Sequence, residues 1–393
     1  MFLLIAGILA AGMTQAGGHG VIVNNDGFSD VYSGYLHDVA SVNNYVAKYK
    51  GSGVTILEWC VGSGRVNYPS KVTELIGHGC TEFPRRGDKQ AVETYRRLIA
   101  EGVDLLTVVT QACHELAGIE CFASLRAAPE YPTSWMGELL PRTFNATLWW
   151  THPQWRVRGP KGEDRTKLSY AFPQVRSYRL AIVKEMLAHD VDGVNIDFLR
   201  HPPFAGYEKP VAEDFQRLYG EDVTKVPASD PRLQDLWCSY MTDFLRSVRR
   251  EAQAAAQRRG KPVRVSVRID QNHLKDWGLD VEQWCREGLI DILEVGQHSL
   301  GGYELKLKPF VAMAHAHGVQ VFASEEATLS GHDLTPEEDK AIAEGKMKPP
   351  PRACLTVEQY VERARRWYAQ GADGVHIFND QHNYKAFKAL GEL

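Results

Sequence analysis

Eight short runs rich in β-branched residues recur along the chain, and amphipathic stretches separate most of them. The runs are GVIVNND (20–26), GVTILEWC (53–60), GIECFASLR (118–126), VDGVNIDFL (191–199), PVRVSVRID (262–270), LIDILEVG (289–296), GVQVFASEE (318–326) and GVHIFND (374–380). Helical patterning occupies 89–101, 174–189, 235–259, 304–317 and 356–370. Strands alternating with helices form right-handed βαβ units and a parallel sheet. Eight of them predict a closed barrel of the α/β class, a single (β/α)8 TIM barrel. An open doubly wound sheet normally has fewer strands. The dinucleotide fingerprint of such sheets is also missing, since GSGRVNYPSK (62–71) is neither GxGxxG nor a phosphate loop.

Link lengths agree with a barrel. Helix-to-strand links are brief, such as HDVDG (189–193) and AQGADG (369–374), whereas strand-to-helix links at 61–88, 127–173, 200–232 and 327–353 are long. Barrels carry their sites on the C-terminal face, in the loops that follow strands. The extra sequence therefore lies where a binding cleft would be built.

Composition narrows the function classes. The 393 residues are 44% hydrophobic and 24% charged, as in an ordinary globular protein, with a net charge of −4. No Lys/Arg run marks a nucleic-acid partner. The seven cysteines (60, 80, 113, 121, 238, 285 and 354) are odd in number, scattered and free of CxxC, so they read as neither a disulfide framework nor a zinc site. The opening MFLLIAGILAAGMTQAGG reads as a secretory signal over 1–16, with the barrel domain over 17–393 and a secreted or periplasmic location. The run is short for a transmembrane helix, so no stable membrane insertion is expected.

Side chains alternate along a strand, which sorts the polar residues. In the fifth run Val263, Val265, Val267 and Ile269 face the helices, so Arg264, Ser266, Arg268 and Asp270 face the barrel axis. The same logic turns Asn195 and Asp197 inward in the fourth run, Arg126 in the third and Glu326 in the seventh, or Glu325 if a bulge follows Ser324. Asp197 then ends a barrel strand pointing at the axis. Buried charge is costly unless paired, and Arg126 and Arg268 are placed to pair with Asp197, Glu326 and Glu294.

Two inward carboxylates on different strands suit glycoside cleavage, one as acid and one as nucleophile or base. Asp197 is assigned the second role, and Glu326 or Glu325 the first. Expected carbohydrate contacts are Asn25 and Asp26, which alternatively cap a turn, Glu58 or Trp59, one of which should face in, and Asn379. Arg126, Arg200, His201, Arg268, Asp270 and Glu294 complete the inward polar set. The third loop carries Trp135, Trp149, Trp150, His152 and Trp155, which form either a sugar-stacking wall or a mini-core of the loop. Tyr170 is a ligand or a helix-packing residue. No cofactor or metal is expected: HAH (315–317) precedes the seventh strand on the opposite face, and one histidine at the site, His201, makes no metal site. The alternatives are a non-catalytic carbohydrate-binding barrel with a structural charge network, and a barrel hydrolase or lyase of another class.

The run DGVNIDFLRHPP (192–203) resembles glycoside-hydrolase-like barrel proteins of the family-10-like type found in bacterial carbohydrate loci. The stretches 100–127, 168–187 and 371–380 are similar to the matching units of those proteins, so the resemblance covers most of the chain. It implies a barrel that acts on or binds a polysaccharide. The chitinase pattern DGxDxDxE does not fit, because Leu199 occupies its acid position. The run is also similar to the amylase-type nucleophile strand, which implies Asp197 as nucleophile and His201 as a sugar ligand.

Overall fold

The computed structural model describes residues 19–200, 202–297 and 304–393. The expected signal segment 1–16 and His201 lie outside the described residues. Eight parallel strands close into a barrel: β1 (Gly20–Asn25), β2 (Val54–Cys60), β3 (Glu120–Arg126), β4 (Gly193–Asp197), β5 (Arg264–Asp270), β6 (Ile292–Gly296), β7 (Gln320–Glu326) and β8 (Gly374–Phe378). Each pairs with its sequence neighbours, and β1 pairs with β8, so no edge is left open. Helices such as Arg86–Ala100, Pro173–Met186, Pro231–Arg259 and Val357–Tyr368 cover the outside. The chain is a single (β/α)8 barrel, as the strand count predicts.

The core lies chiefly between strands and helices. Val21, Leu57, Val194, Ile196, Val265, Val267, Val321 and Val375 are fully buried there. Inside the barrel the apolar set is small: Ile22, Ile56, Phe122, Ile292 and Phe322. Two glycines make room for its rings. A Cβ on Gly193 would lie 2.5 Å from the Phe122 ring, and one on Gly374 would lie 2.3 Å from the Phe322 ring. The large residue on an odd strand thus fills the space its even neighbour vacates, which is how barrel layers interlock.

An aspartate sits just before each of three even strands and fastens the start of the preceding odd strand. Asp192 accepts from Cys121 N at 2.9 Å, Asp291 from Val265 N at 2.7 Å and Asp373 from Val321 N at 2.7 Å. Each also faces a basic group: His114 at 2.7 Å, Arg249 at 2.8 Å and His315 at 2.8 Å respectively. His315 of the HAH run therefore has a structural partner on the N-terminal face. Asp192→Ala leaves a strand amide and His114 without their acceptor. It should lower unfolding free energy by about 1–3 kcal/mol, while Asp192→Asn, which keeps an acceptor oxygen, should cost less. Denaturant melts of the three proteins side by side check this.

Candidate functional site

Above the apolar plug, the axis of the barrel turns polar. The even strands contribute Glu58, Asn195, Glu294 and His376 to one level, and the odd strands contribute Asn24, Ser124, Ser266 and Ser324. All eight are buried. Glu58 accepts from Asn24 Nδ2 at 3.0 Å and from Ser266 Oγ at 3.1 Å. Asn195 Nδ2 donates to Ser266 Oγ at 2.8 Å and to Glu294 at 3.1 Å, and Ser124 Oγ donates to Asn195 Oδ1 at 2.8 Å. His376 Nε2 lies 3.3 Å from Glu58 and 3.6 Å from Glu294.

This level cannot hold two full carboxylate charges. Burial, then the neighbouring Glu58 charge, pushes the Glu294 carboxyl well above its ordinary range. Burial pushes Glu58 the same way, but hydrogen bonds from His376, Glu294 and Asn24 bring it below its ordinary value. Glu294 therefore keeps the proton and Glu58 carries the charge. Among the described residues, Glu58, Glu294 and His376 are also a group whose donor atoms all lie within 4.8 Å of one another, the spacing of metal ligands.

The level connects upward. Arg268 Nε donates to Ser324 Oγ at 2.9 Å, and Ser324 Oγ lies 2.9 Å from His376 Nδ1. Ser324 Oγ thus bridges the Arg268 guanidinium and the His376 ring. Arg268 Nη1 reaches Asp197 Oδ2 at 3.4 Å, and Leu199 N donates to Asp197 Oδ1 at 3.0 Å. In strand register Asp197 lies between Arg126 and Arg268. Arg268 and Arg200 lie 4.0 Å and 5.2 Å from the Phe378 ring centroid. Asp197, Arg126, Arg200, Arg268 and Asp270 are thus gathered at the C-terminal mouth, with Asp197 only 2% exposed.

Glu326 ends β7 at the same mouth and is partly exposed. Both of its oxygens accept from Asn379 Nδ2 at 2.9 Å. Asn379 holds φ at 63°, the left-handed region that asparagine tolerates better than most residues. No bulge turns Glu325 inward. Its side chain faces the helix Val357–Tyr368, where Arg363 Nη1 lies 2.5 Å from it, and it is 1% exposed. Burial, opposed but not outweighed by Arg363, raises its carboxyl to about 8.

Several expected carbohydrate contacts are internal instead. Glu58 and Glu294 do face the axis, but one level too deep to meet a ligand. Because Glu58 turns in, Trp59 turns out and is fully buried against the helices, so it offers no platform. Asn25 likewise points outward and is consumed by Asp30 and Tyr45, each at 2.9 Å. Asp26 caps the turn, accepting from Phe28 N at 2.9 Å and Ser29 N at 2.7 Å. Tyr170 packs, its hydroxyl donating to Ala127 O at 2.8 Å. In the third loop Trp149 and Trp155 join a mini-core with Leu168 and Val175, and His152 stacks on Trp155 at 3.9 Å. Trp135 and Trp150 stay exposed. His376 was absent from the sequence-based set, although the alternation of GVHIFND turns it inward.

No family model matches the chain, and no curated protein matches it. Solved structures share the fold. The glycoside hydrolase domain of PgaB (BpsB) from Bordetella bronchiseptica aligns with a TM-score of 0.59 at 13% identity, over 96% of this chain and 99% of that one. The catalytic domain of a β-amylase from Paenibacillus polymyxa aligns at 0.55 and 11% identity, over 94% of each chain. A β-galactosidase from Rahnella sp. R3 aligns at 0.52 and 12%, over 93% of this chain and 51% of that one. These glycoside hydrolases carry barrels like this one.

Three stability outcomes follow from the buried acids. Glu294→Gln mimics the protonated acid, accepting from Asn195 and donating to Glu58, and should unfold within about 1 kcal/mol of wild type. Glu58→Gln removes the charge that its donors face and should cost about 3 kcal/mol or more. Chemical denaturation of both variants at pH 7 decides. For Glu325 the folded carboxyl titrates near 8, above its ordinary 4.5. The folded state therefore holds a proton that the unfolded state releases, and stability present below pH 4.5 is lost as pH rises toward 8. Glu325→Gln should remove a slope of up to about 1.4 kcal/mol per pH unit across that window, as read from denaturation at several pH values.

Proposed function

We propose that this barrel hydrolyses O-glycosidic bonds in a polysaccharide or oligosaccharide, with Asp197 as nucleophile or base and Glu326 as general acid. The observation that carries this reading is the pairing of two differently held carboxylates at one mouth. Asp197 is fixed on β4 against Arg268, and Glu326 lies partly open to solvent on β7. The first is oriented and set against positive charge, as an attacking carboxylate requires. The second can reach a leaving oxygen from the open side. Glu325 cannot, because it is buried beneath a helix, so Glu326 is preferred of the two glutamates. Likeness of fold to a glycoside hydrolase domain and a β-amylase supports the reaction class, and the family-10-like resemblance of the fourth-strand run supports a polymeric glycan. Export, as the N-terminal run suggests, would bring the protein to such polymers. The partly exposed His152 and the exposed Trp135 and Trp150 are natural stacking surfaces along the third loop, and Asn379 positions Glu326.

One observation favours a second reading, a carbohydrate-binding barrel without hydrolysis. Asp197 is 2% exposed and already bonded to Arg268 and Leu199 N. In that reading it anchors arginines instead of attacking sugar. A panel of polysaccharides and aryl glycosides, assayed with wild type, Asp197→Asn and Glu326→Gln, separates the two. Hydrolysis predicts that Glu326→Gln lowers kcat about 10²–10⁴-fold and that Asp197→Asn lowers it at least as far, with both variants folded. Proton NMR of the first-formed anomer then assigns retention or inversion. Glycan binding by all three proteins with no cleavage by any selects the binding barrel.

A further inference from the structure

Three guanidiniums crowd around one carboxylate at the base of the mouth. Arg126, Arg200 and Arg268 surround Asp197: Arg126 and Arg268 flank it in strand register, and Arg200 shares the Phe378 ring with Arg268. The carboxylates nearby are already engaged. Asp197 is held by Arg268 and Leu199 N, Asp26 by Ser29, and Glu326 by Asn379. Asp270 accepts from Asn272 N at 2.8 Å. Behind Arg200 stands a further cation, Lys167, buried with its ammonium bonded to the carbonyls of Ala128 and Glu130, while the Glu130 carboxylate is bonded to Arg179.

Arg200 is the residue this arrangement leaves in need. Its Nε is buried and has no hydrogen-bond acceptor among the described residues. Burial lowers its pKa, Arg126 and Arg268 add to that, and Asp197 and Tyr131 oppose them without making up the difference. Lys167 responds to the same field: burial, with Arg179 and Arg200 against Glu130, brings it down to about 8. A buried guanidinium donor without an acceptor is costly, and water supplies an oxygen but no countercharge.

We propose that the mouth takes a glycan ring carrying an anionic group, a carboxylate or a sulfate, whose oxygens accept from Arg200 beside Asp197. This rests on the reading of the protein as one that engages glycans, and it deepens that reading. It also removes a conflict within it. Positive charge grows on the sugar ring during glycoside cleavage, and three guanidiniums facing a neutral ring would oppose that growth. An anionic substituent on the ring, together with Asp197, offsets most of that charge. The planar guanidinium fork matches two oxygens of a carboxylate or sulfate at once, which a neutral hydroxyl cannot do.

Calorimetry on the full chain with three oligosaccharides of equal length, one of uronic acids, one sulfated and one neutral, tests this. Wild type should bind at least one anionic probe about tenfold or more tightly than the neutral one, weakening as salt rises. Arg200→Met should abolish that preference, and Arg200→Lys should restore part of it, with thermal melts showing all three proteins folded. The uronic and sulfated arms identify which anion is taken. Equal or tighter binding of the neutral probe, an unchanged preference in Arg200→Met, or no binding of either anionic probe overturns the proposal. Anion-dependent binding without cleavage keeps it while removing the hydrolase reading. Cleavage of a neutral glycan that Arg200→Met leaves unaltered does the reverse.

Discussion

Three ionisable side chains sealed on the axis of a barrel cannot all carry charge, and that constraint organises the centre of this molecule. Glu58 and Glu294 share the level with His376, and no solvent reaches any of them. Burial forces one proton onto the glutamate pair, and His376 is pinned by what remains. The consequence travels upward through definite contacts. His376 engages Ser324, Ser324 accepts from Arg268, and Arg268 holds Asp197. The orientation of the carboxylate at the mouth is therefore set by the sealed level below it.

The arginines at the mouth are then shaped from both sides. Arg268 is held by Ser324 and lies 4.0 Å from the Phe378 ring centroid, which leaves its guanidinium little freedom. Arg200 comes from the loop after β4 and lies 5.2 Å from the same ring centroid. The mouth consequently combines a rigid floor with a loop-borne cation, the usual division between scaffold and specificity in barrels.

The barrel and the direction of most side chains were legible in the sequence because a strand has a period of two. VRVSVRID needs no structure to show that Arg264, Ser266, Arg268 and Asp270 share a face. The same rule separates Glu58 from Trp59 and Asn24 from Asn25 once one member of each pair is known to turn inward. Depth was not legible. Whether an inward residue lies in the plug, the sealed level or the mouth depends on the stagger between strands, a property of the closed sheet and not of any one run. Glu58 and Glu294 were therefore assigned to a cleft that lies above them. Asp26 shows a different limit: its turn-capping bonds and its position at the mouth are both compatible with the local sequence. The third-loop tryptophans show a third, since only tertiary contacts divide buried Trp149 from exposed Trp150.

Stability and chemistry occupy different surfaces of the same strands. Among the described residues, five apolar side chains form the plug within the barrel, and the level above it is polar. The outward faces pair with helices through a continuous apolar layer that runs around the whole barrel. Each fully buried aliphatic side chain there contributes about 1.5–3 kcal/mol, and the aspartate clamps on the N-terminal face fix where three strands begin. A barrel held from outside and below can accommodate three guanidiniums crowded around Asp197 at its mouth. Such crowding would be a defect in a purely structural core, where pairing a charge only breaks even against apolar packing. Here it lies at the end of the barrel where the loops are long, the end at which barrels build their sites.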